Sequence, residues 1–430
     1  MKVGKAIYNI LSQSTDVQSN FPFNTTDYAP TGTELVTNGD FSAAGSNLVS
    51  NPNFTDGTEK AIALTSWTAY ASGTGSSTVT YDGSTAELNI DASNTNVGIY
   101  QSGIFALGVS YKIVVSMKAT ASFDAEILES SGASTENPIG TVSLTTSYQD
   151  FTFYYVGTGT YDLFIHRLST ASGASQTISI ETVSVKELGA DWTDQGAVAA
   201  LAAATYDANG LTITTVNGDG NNNRVYQSNV TNDDKSYKVT YTIHSATLTD
   251  ANSLQYYNGL TYVSMPTAIT GTPQTFYFTR QITDDNWYFR IGTYNGSTTD
   301  TVTISSISVQ ELGEGWNHNS IWQFGNNRAI AVSANYTSGT SLNQSSILEV
   351  GKYYKVSFEV LEITSGAFEI RAGAGGTYSP AVNSVGTYTY YLKATDPYGI
   401  VLYMNCISTT NGAVSNISVE EMILTKIFPE

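Results

Sequence analysis

Three short sequence marks recur three times in the same order along this chain, and such a repeat is the strongest constraint on how the chain can fold. Each copy has a Gln-Ser pair, a Tyr-Lys pair that begins ten residues after the Gln, and a Trp upstream of both. The Trp, Gln and Tyr of the three copies are Trp67, Gln101 and Tyr111; Trp192, Gln227 and Tyr237; and Trp316, Gln344 and Tyr354. The repeat therefore indicates one structural unit used three times.

Each Tyr-Lys pair opens a segment in which apolar and polar residues alternate. In the first copy Tyr111, Ile113, Val115 and Met117 fall on one face, and the other copies follow the same pattern. A period of two predicts a strand with one buried and one exposed face.

Each copy ends in an apolar strand whose phase slips by one residue at an equivalent place. One extra residue in a strand predicts a β-bulge. The slips lie between Ile180 and Val183, between Ile304 and Ile307, and between Val414 and Ile417.

The closing strands set the predicted domain boundaries. Many short strands with Gly and Asn turns predict an all-β fold of three tandem antiparallel β-sandwich, jelly-roll-like modules, preceded by a short N-terminal helix and an extended anchor. The joins at 189–190 and 313–314 are so short that a semi-rigid rod is expected. The predicted segments are an N-terminal anchor and linker at 1–32, a first module at 33–189, a second at 190–313 and a third at 314–430.

The charge balance and the rare residue types exclude several functions. With Lys+Arg 18 against Asp+Glu 37, the net charge of −19 disfavours nucleic acid and anionic membranes, because both are bound through clustered basic residues. No run approaches the roughly 20 apolar residues of a membrane helix, so no membrane insertion is expected. The single Cys406 and three His leave no disulfide framework, no cysteine zinc site and little material for acid–base chemistry.

The first residues predict a short amphipathic helix. Val3, Ile7, Ile10 and Leu11 share one face at helical spacing. A helix this short needs a partner surface to persist, which suggests an anchor. The apolar stretch is shorter than the roughly 7–15 residues of a signal peptide, so we expect synthesis in a cytoplasm without general secretory export.

The opening of the first module resembles a known family. Leu35-Val-Thr-Asn-Gly-Asp-Phe41, echoed at 48–54 and followed by Trp67-Thr68, is similar to the carbohydrate-binding jelly rolls found beside xylanases and glucanases, in the galactose-binding-like superfamily. The resemblance spans the first module, whereas the other two lack the opening strand. It implies glycan binding, and a structural calcium for which Asn38, Asp40 and Glu181 occupy comparable positions. Similar openings recur in bacteriophage tail and virion surface proteins.

A second resemblance covers only some fifteen residues. The segment from Met1 to Ser12, followed by Asp16-Val17, is similar to the first helix of a family of phage tail-completion proteins. Together the two resemblances imply a virion surface protein that is made in a host cytoplasm. Its N-terminal segment would dock on other virion proteins, with several copies or a homo-oligomer on each particle.

The aromatic residues near the marks are candidates for glycan contacts. Trp67, Trp192 and Trp316 either stack on sugar rings or fill the module cores, because a Trp that recurs with the strands serves either role. Tyr100 and Tyr226, which directly precede the Gln-Ser pairs, carry the same two interpretations.

The sequence thus favours a non-enzymatic phage virion protein, a capsid or tail decoration or fibre, whose modules bind host or environmental glycans weakly. No cofactor is expected apart from the calcium. One alternative is a cellular carbohydrate-binding adhesin or the binding portion of a polysaccharide-degrading enzyme. Another is a glycosidase built on the sandwich itself, which needs two carboxylates facing each other in a groove.

Overall fold

A computed structural model describes most of the three repeats. All regular structure in the described residues is β-strand, which confirms the predicted all-β fold. Within this part of the chain no helix is long and apolar enough to cross a membrane. The described residues are 13–15, 44–47, 67–72, 77–82, 84–91, 96–130, 136–167, 175–189, 192–195, 204–215, 224–249, 253–280, 286–292, 300–313, 316–318, 321–325, 328–334, 341–373, 378–394 and 402–423.

The first sandwich consists of two antiparallel sheets. One sheet has the order β10-β7-β12-β5-β4, with β2 paired to the end of β12, and the other has the order β3-β6-β11-β8-β9. The strands are β2 (Ala44–Asn47), β3 (Thr68–Ser72), β4 (Thr78–Tyr81), β5 (Ala86–Ile90), β6 (Asn96–Gln101), β7 (Ser110–Ala119), β8 (Phe123–Ser130), β9 (Glu136–Leu144), β10 (Gln149–Val156), β11 (Asp162–Arg167) and β12 (Gln176–Leu188).

Among the described residues, the second sandwich repeats this topology with a counterpart for every strand except β2. Its sheets have the orders β14-β15-β22-β17-β20 and β13-β16-β21-β18-β19. The strands are β13 (Thr193–Gln195), β14 (Ala204–Asp207), β15 (Gly210–Thr214), β16 (Arg224–Gln227), β17 (Ser236–Thr247), β18 (Leu254–Tyr257), β19 (Tyr262–Met265), β20 (Gln274–Thr279), β21 (Trp287–Ile291) and β22 (Thr301–Leu312).

The third sandwich has the same plan, but two long strands run through both of its layers. The second half of β26 pairs with the first half of β28 to form the layer that corresponds to the second sheet of the other sandwiches. A short strand near the start of the chain, β1 (Gln13–Thr15), pairs with the end of β28. The remaining strands are β23 (Trp322–Gly325), β24 (Arg328–Ala334), β25 (Leu342–Gln344), β26 (Tyr353–Ala372), β27 (Gly386–Lys393) and β28 (Leu402–Ile423).

The closing strand lies next to the Tyr-Lys strand in every sandwich, and it carries the predicted bulge. The pairing register skips Glu181 between β12 and β7, and Ser305 between β22 and β17. In the third sandwich it shifts between Ser415 and Ser418. The phase slip in the sequence therefore marks a real irregularity at an equivalent place in each copy.

The tyrosine of each Tyr-Lys pair is buried, and its hydroxyl fixes the loop before it. The backbone N–H five residues earlier donates to this oxygen in all three copies. The N–O distances are 2.9 Å from Ala106 to Tyr111, 2.6 Å from Asn232 to Tyr237, and 2.6 Å from Glu349 to Tyr354. The repeated tyrosine is therefore a structural residue whose hydroxyl satisfies a turn.

The joint between the first and second sandwiches is built from packed side chains. Leu188, the last residue of β12, packs in the core of the second sandwich together with Trp192. Gly189 has a φ of +68°, and the Tyr206 ring lies where a Cβ would stand. The Tyr206 N–H donates to the buried Ser110 hydroxyl across the joint at 3.0 Å.

The joint between the second and third sandwiches repeats the same construction. Leu312 packs in the third core with Trp316, and Gly313 has a φ of +74° beneath the Phe324 ring. The Phe324 N–H donates to the buried Ser236 hydroxyl at 2.8 Å. Two joints with the same contacts mean that neighbouring sandwiches are held in one arrangement, as the short linkers suggested. The exact ends of the three predicted modules stay a prediction.

Candidate functional site

We call the sheet that the chain enters directly after the repeated Trp the Trp sheet of each sandwich; in the third sandwich the chain enters it at Asn317, which forms a bridge to Asn343 of β25. In the second sandwich it runs β13-β16-β21-β18-β19. Along β21 the side chains alternate, so that Trp287, Phe289 and Ile291 lie in the core. Tyr288 and Arg290 point to the outer face, because successive residues of a strand face opposite sides.

A row of tyrosines crosses this outer face from strand to strand. Tyr226 pairs with Tyr288 with ring centroids 5.1 Å apart, and Tyr257 pairs with Tyr262 at 5.0 Å. The two pairs meet through Tyr288 and Tyr257, whose centroids are 6.0 Å apart. All four rings are partly exposed. Three strand spacings make the row about 14 Å long.

A row of polar side chains runs beside the tyrosines, two residues away from the tyrosine on each strand. Arg224 of β16 pairs with Arg290 of β21, which pairs with Gln255 of β18, which in turn pairs with Ser264 of β19. All four residues are at least partly exposed. The face thus presents aromatic rings on one side and hydrogen-bonding groups on the other.

The two arginines lie across the tyrosine rings. The Arg224 guanidinium is 5.0 Å from the Tyr288 ring centroid, and its Nη1 donates to the Tyr262 hydroxyl at 3.3 Å. The Arg290 guanidinium is 3.5 Å from the Tyr262 centroid, and its Nε donates to Gln255 Oε1 at 3.1 Å. Burial lowers the pKa of Arg290 below its usual value; the nearby Tyr262 opposes this shift, and the Arg224 charge adds to it.

The first sandwich carries an aromatic cluster on the equivalent face. Tyr100 stacks on Phe164 at 5.8 Å, and Tyr70 meets Phe164 edge-on at 5.3 Å. His166 and Glu126 pair across β11 and β8, where the second sandwich has Arg290 and Gln255. This face combines aromatic rings with one carboxylate.

His166 is neutral in this setting. Its side chain is 1% exposed, and burial lowers its pKa to about 4. Its Nε2 lies 3.3 Å from Glu126 Oε2, without hydrogen-bond alignment. Because the imidazole is neutral at pH 7, this contact is not an ion pair. Gly98 leaves room for the His166 backbone and Cβ, where any side chain would collide.

The third sandwich is the most polar of the three on this face. Arg371 pairs with Tyr378, with the guanidinium 5.3 Å from the ring centroid and Nη1 donating to the hydroxyl at 2.9 Å. Asn405 donates to Glu369 at 3.1 Å. Asn343 stands where the second sandwich has Tyr226.

The three repeated tryptophans are core residues and not part of this face. Trp67, Trp192 and Trp316 are 3%, 6% and 3% exposed and belong to the three core clusters. A ring buried to this extent cannot stack on a sugar, so the predicted ligand role of these residues is corrected to the core role. Their large apolar surface explains why they recur with the strands.

Tyr100 and Tyr226 lie on the outer face, where a ligand could reach them. Their role in binding stays a prediction. Their neighbours Phe164, Tyr288 and Tyr262 were missed because no repeated mark points to them. The alternation Trp287-Tyr288-Phe289-Arg290 is a signal that could have placed Tyr288 and Arg290 on the surface.

The calcium prediction can be followed at only one of its three residues. Asn38 and Asp40 lie outside the described residues. Glu181 is exposed at the bulge and accepts a hydrogen bond from Ser116 at 3.2 Å. Among the residues that the structure describes, no three His, Cys, Asp or Glu side chains are placed to hold a metal.

The predicted anchor helix with Val3, Ile7, Ile10 and Leu11 also lies outside the described residues. The single cysteine, Cys406, is 2% exposed and packs in the core of the third sandwich.

Comparisons with known proteins add structural neighbours. No family model matches the chain, and no curated protein matches it. Among solved structures, a mutant family 29 carbohydrate-binding module complexed with mannohexaose is 19% identical, with a TM-score of 0.24, over 30% of this chain and 86% of that chain. The N-terminal cellulose-binding domain of a β-1,4-glucanase from Cellulomonas fimi is 15% identical, with a TM-score of 0.27, over 33% of this chain and 97% of that chain.

A third neighbour is an enzyme. An arabinose-bound α-L-arabinofuranosidase is 17% identical, with a TM-score of 0.28, over 33% of this chain and 26% of that chain. At such identities and TM-scores the function of this chain has to be argued from its own geometry.

Proposed function

We propose that this chain is a non-enzymatic glycan-binding protein whose sandwiches bind sugar chains weakly on the outer faces of their Trp sheets. The observation that carries the proposal is the tyrosine row of the second sandwich, formed by Tyr226, Tyr288, Tyr257 and Tyr262. The row is partly exposed, spans four adjacent strands and lies beside a continuous row of polar side chains.

This arrangement matches the chemistry of a sugar ring. A pyranose has apolar C–H faces and a rim of hydroxyls, so it needs a flat aromatic surface with hydrogen-bonding groups at its edge. A tyrosine ring supplies apolar area together with a polar hydroxyl, at a low cost in side-chain entropy. The tilted contacts between neighbouring rings, with interplanar angles of 38° and 43°, hold the rings in place before any ligand arrives.

The faces differ in composition, so each sandwich is expected to prefer a different sugar or to bind with a different strength. The first face is aromatic with Glu126, the second combines tyrosine with arginine, and the third is mostly polar. Weak sites linked in one chain raise the apparent affinity for a polymer when the geometry allows them to engage together.

The test measures binding of the full chain to a panel of soluble plant, bacterial and algal polysaccharides. The variant Tyr226→Ser/Tyr262→Ser removes two rings of the row. We expect it to lose about tenfold or more in affinity for the ligands of the second sandwich, since tyrosines at the centre of an interface often dominate binding. The matched control is Tyr154→Ser/Tyr391→Ser, because these tyrosines are exposed on the other sheet of their sandwiches.

Equal losses in the two double variants would contradict the location of the site. Failure of the full chain to bind any member of the panel would contradict the glycan-binding function.

A second candidate function is display on a bacteriophage virion surface, with the sandwiches projecting as a rod. The resemblance of the first residues to phage tail-completion proteins supports it. The two equivalent joints at Gly189 and Gly313 also support it, because they fix successive sandwiches in one arrangement. Display and glycan binding are compatible, whereas a cellular adhesin or the binding part of a hydrolase would use the same faces without a particle.

Deletion of residues 2–30 tests the virion role. The deletion also removes β1, a three-residue strand that pairs only with the end of β28 among the described strands, so we expect the shortened chain to stay folded and to be lost from purified particles. Unchanged incorporation, or absence of the full chain from particles, would refute it and favour the adhesin.

A further inference from the structure

We infer that the outer face of the second sandwich binds acidic glycans, whose sugars carry carboxylates, through Arg224 and Arg290. This inference rests on the proposed glycan-binding function and assigns a ligand class to one of its three faces. The two arginines pair directly across β16 and β21, beside the tyrosine row.

The three sandwiches provide an internal comparison, because the same register positions can be read in each. Where the second sandwich has Arg224 and Arg290, the first has Gly98 and His166. His166 is neutral because its burial lowers its pKa to about 4. The first face therefore lacks a cation at both positions.

The position paired with Arg290 differs as well, and here the second sandwich has a neutral residue where the other two have a charged one. Gln255, which pairs with Arg290, stands where the first sandwich has Glu126 and the third has Glu369. The second face thus has two cations and a neutral amide where both other faces carry a carboxylate. A carboxylate beside the arginines would compete with an anionic ligand, and at this position the second sandwich does not have one.

The arginines are also held in a geometry that suits a carboxylate. A guanidinium presents its N–H donors in a planar fork that matches the two oxygens of a carboxylate. Stacking on Tyr288 and Tyr262 orients the two forks, and the hydrogen bonds to the Tyr262 hydroxyl and to Gln255 restrict their rotation. The side chains are therefore largely ordered before the ligand binds.

The closeness of the two cations points to an anion as well. Arg224 and Arg290 stand at directly paired positions of neighbouring strands, where like charges repel each other. An anion between them relieves that repulsion, whereas a neutral sugar does not. The site is also unusual for this chain, whose net charge is −19.

The experiment compares matched ligands by titration calorimetry. Polygalacturonate, alginate and hyaluronan are each tested against their own carboxyl-reduced, neutral forms with the full chain. We expect at least one acidic form to bind about tenfold or more tightly than its reduced form, since hydrogen bonds to charged groups are the stronger kind. The preference should shrink as NaCl is raised, because exposed charges are screened.

Substitutions of the two arginines test whether these residues cause the preference for the acidic form. In Arg224→Gln/Arg290→Gln the acidic and reduced forms should bind alike. The control Arg328→Gln, which removes one partly exposed positive charge from the third sandwich, should keep the preference. Arg290→Lys retains the charge without the fork and should lose most of the preference. A purely structural role for the arginines would lower the unfolding midpoint and leave the ratio of the two affinities unchanged.

The outcomes separate the two proposals. If the chain binds the reduced polysaccharides as well as the acidic ones, the acidic preference is refuted and glycan binding stands. If it binds neither form of any pair, or any other member of the panel, both proposals fall. A preference that survives Arg224→Gln/Arg290→Gln also overturns the assignment to this face.

Discussion

Replacement of Gly313 by alanine tests whether the joint between the second and third sandwiches is a fixed contact. Gly313 has a φ of +74°, and an added Cβ would run into the Phe324 ring. Gly271 in the second sandwich has nearly the same φ, +70°, but nothing within 4 Å of its Cβ position. The two glycines therefore separate the cost of the backbone conformation from the cost of the collision.

The expected magnitudes follow from these two terms. An alanine in the left-handed region costs about 1–2 kcal/mol, and this is all that Gly271→Ala should lose. Gly313→Ala adds the displacement of the Phe324 ring, and overpacking of this kind costs roughly 1–3 kcal/mol more. Displacement of Phe324 also strains the hydrogen bond from its N–H to Ser236, so Ser236→Ala should be destabilising as well, by about 1–3 kcal/mol for the unpaired N–H.

The assay is urea unfolding of the full chain, followed by tryptophan fluorescence. We expect the free energy of unfolding to decrease from the wild type to Gly271→Ala and again to Gly313→Ala. The last variant should also broaden the distribution of interatomic distances measured by small-angle scattering. If Gly313→Ala is no more destabilising than Gly271→Ala, the Phe324 ring does not pack on the joint and the rod is not fixed in this way.

Three further predictions concern single residues in the three sandwiches. Tyr237→Phe removes the buried hydroxyl that accepts from the Asn232 N–H and should lower the free energy of unfolding by about 1–2 kcal/mol in urea; an unchanged value would mean that water replaces the hydroxyl. Burial lowers the pKa of His166 from 6.5 to about 4. Between these pH values the unfolded chain therefore binds more protons than the folded chain. The stability of the first sandwich should fall as the pH drops from about 6.5 towards 4, by up to about 1.4 kcal/mol per pH unit. His166→Gln should flatten this part of the pH profile, and an equally steep profile in the variant would contradict the assignment. Burial raises the pKa of the Cys406 thiol to about 12, so a thiol reagent at pH 8 should label it only when the third sandwich opens; rapid labelling of the native chain would refute its place in that core.

The repeat and the strand pattern predicted the fold because they report directly on burial. The Tyr-Lys marks, the alternation that follows them and the phase slip near Glu181 all correspond to one strand pair in each sandwich, with a register shift at an equivalent place. The three copies share the same core, so a side chain that recurs at the same place in all three is expected to pack in that core. The Trp set was ambiguous from sequence for this reason, and its burial places it in the core.

The outer face was harder to predict because it is where the copies differ. Arg224 and Arg290 come from strands that are more than sixty residues apart, and only the pairing of β16 with β21 brings them side by side. The tyrosines Tyr257 and Tyr262 could be read as a hairpin, but their alignment with Tyr288 depends on strand order. Pairing between distant strands is not encoded in any local pattern, so this part of the site required the structure.

The most direct test of the central proposal is hydroxyl-radical footprinting of the full chain with and without the polysaccharide that it binds best, read residue by residue by mass spectrometry. The proposal predicts protection of tyrosines on the outer faces of the Trp sheets, above all Tyr226, Tyr262 and Tyr288, with Tyr154 and Tyr391 unchanged. Protection confined to Tyr154 and Tyr391, or binding that protects none of these rings, would contradict it.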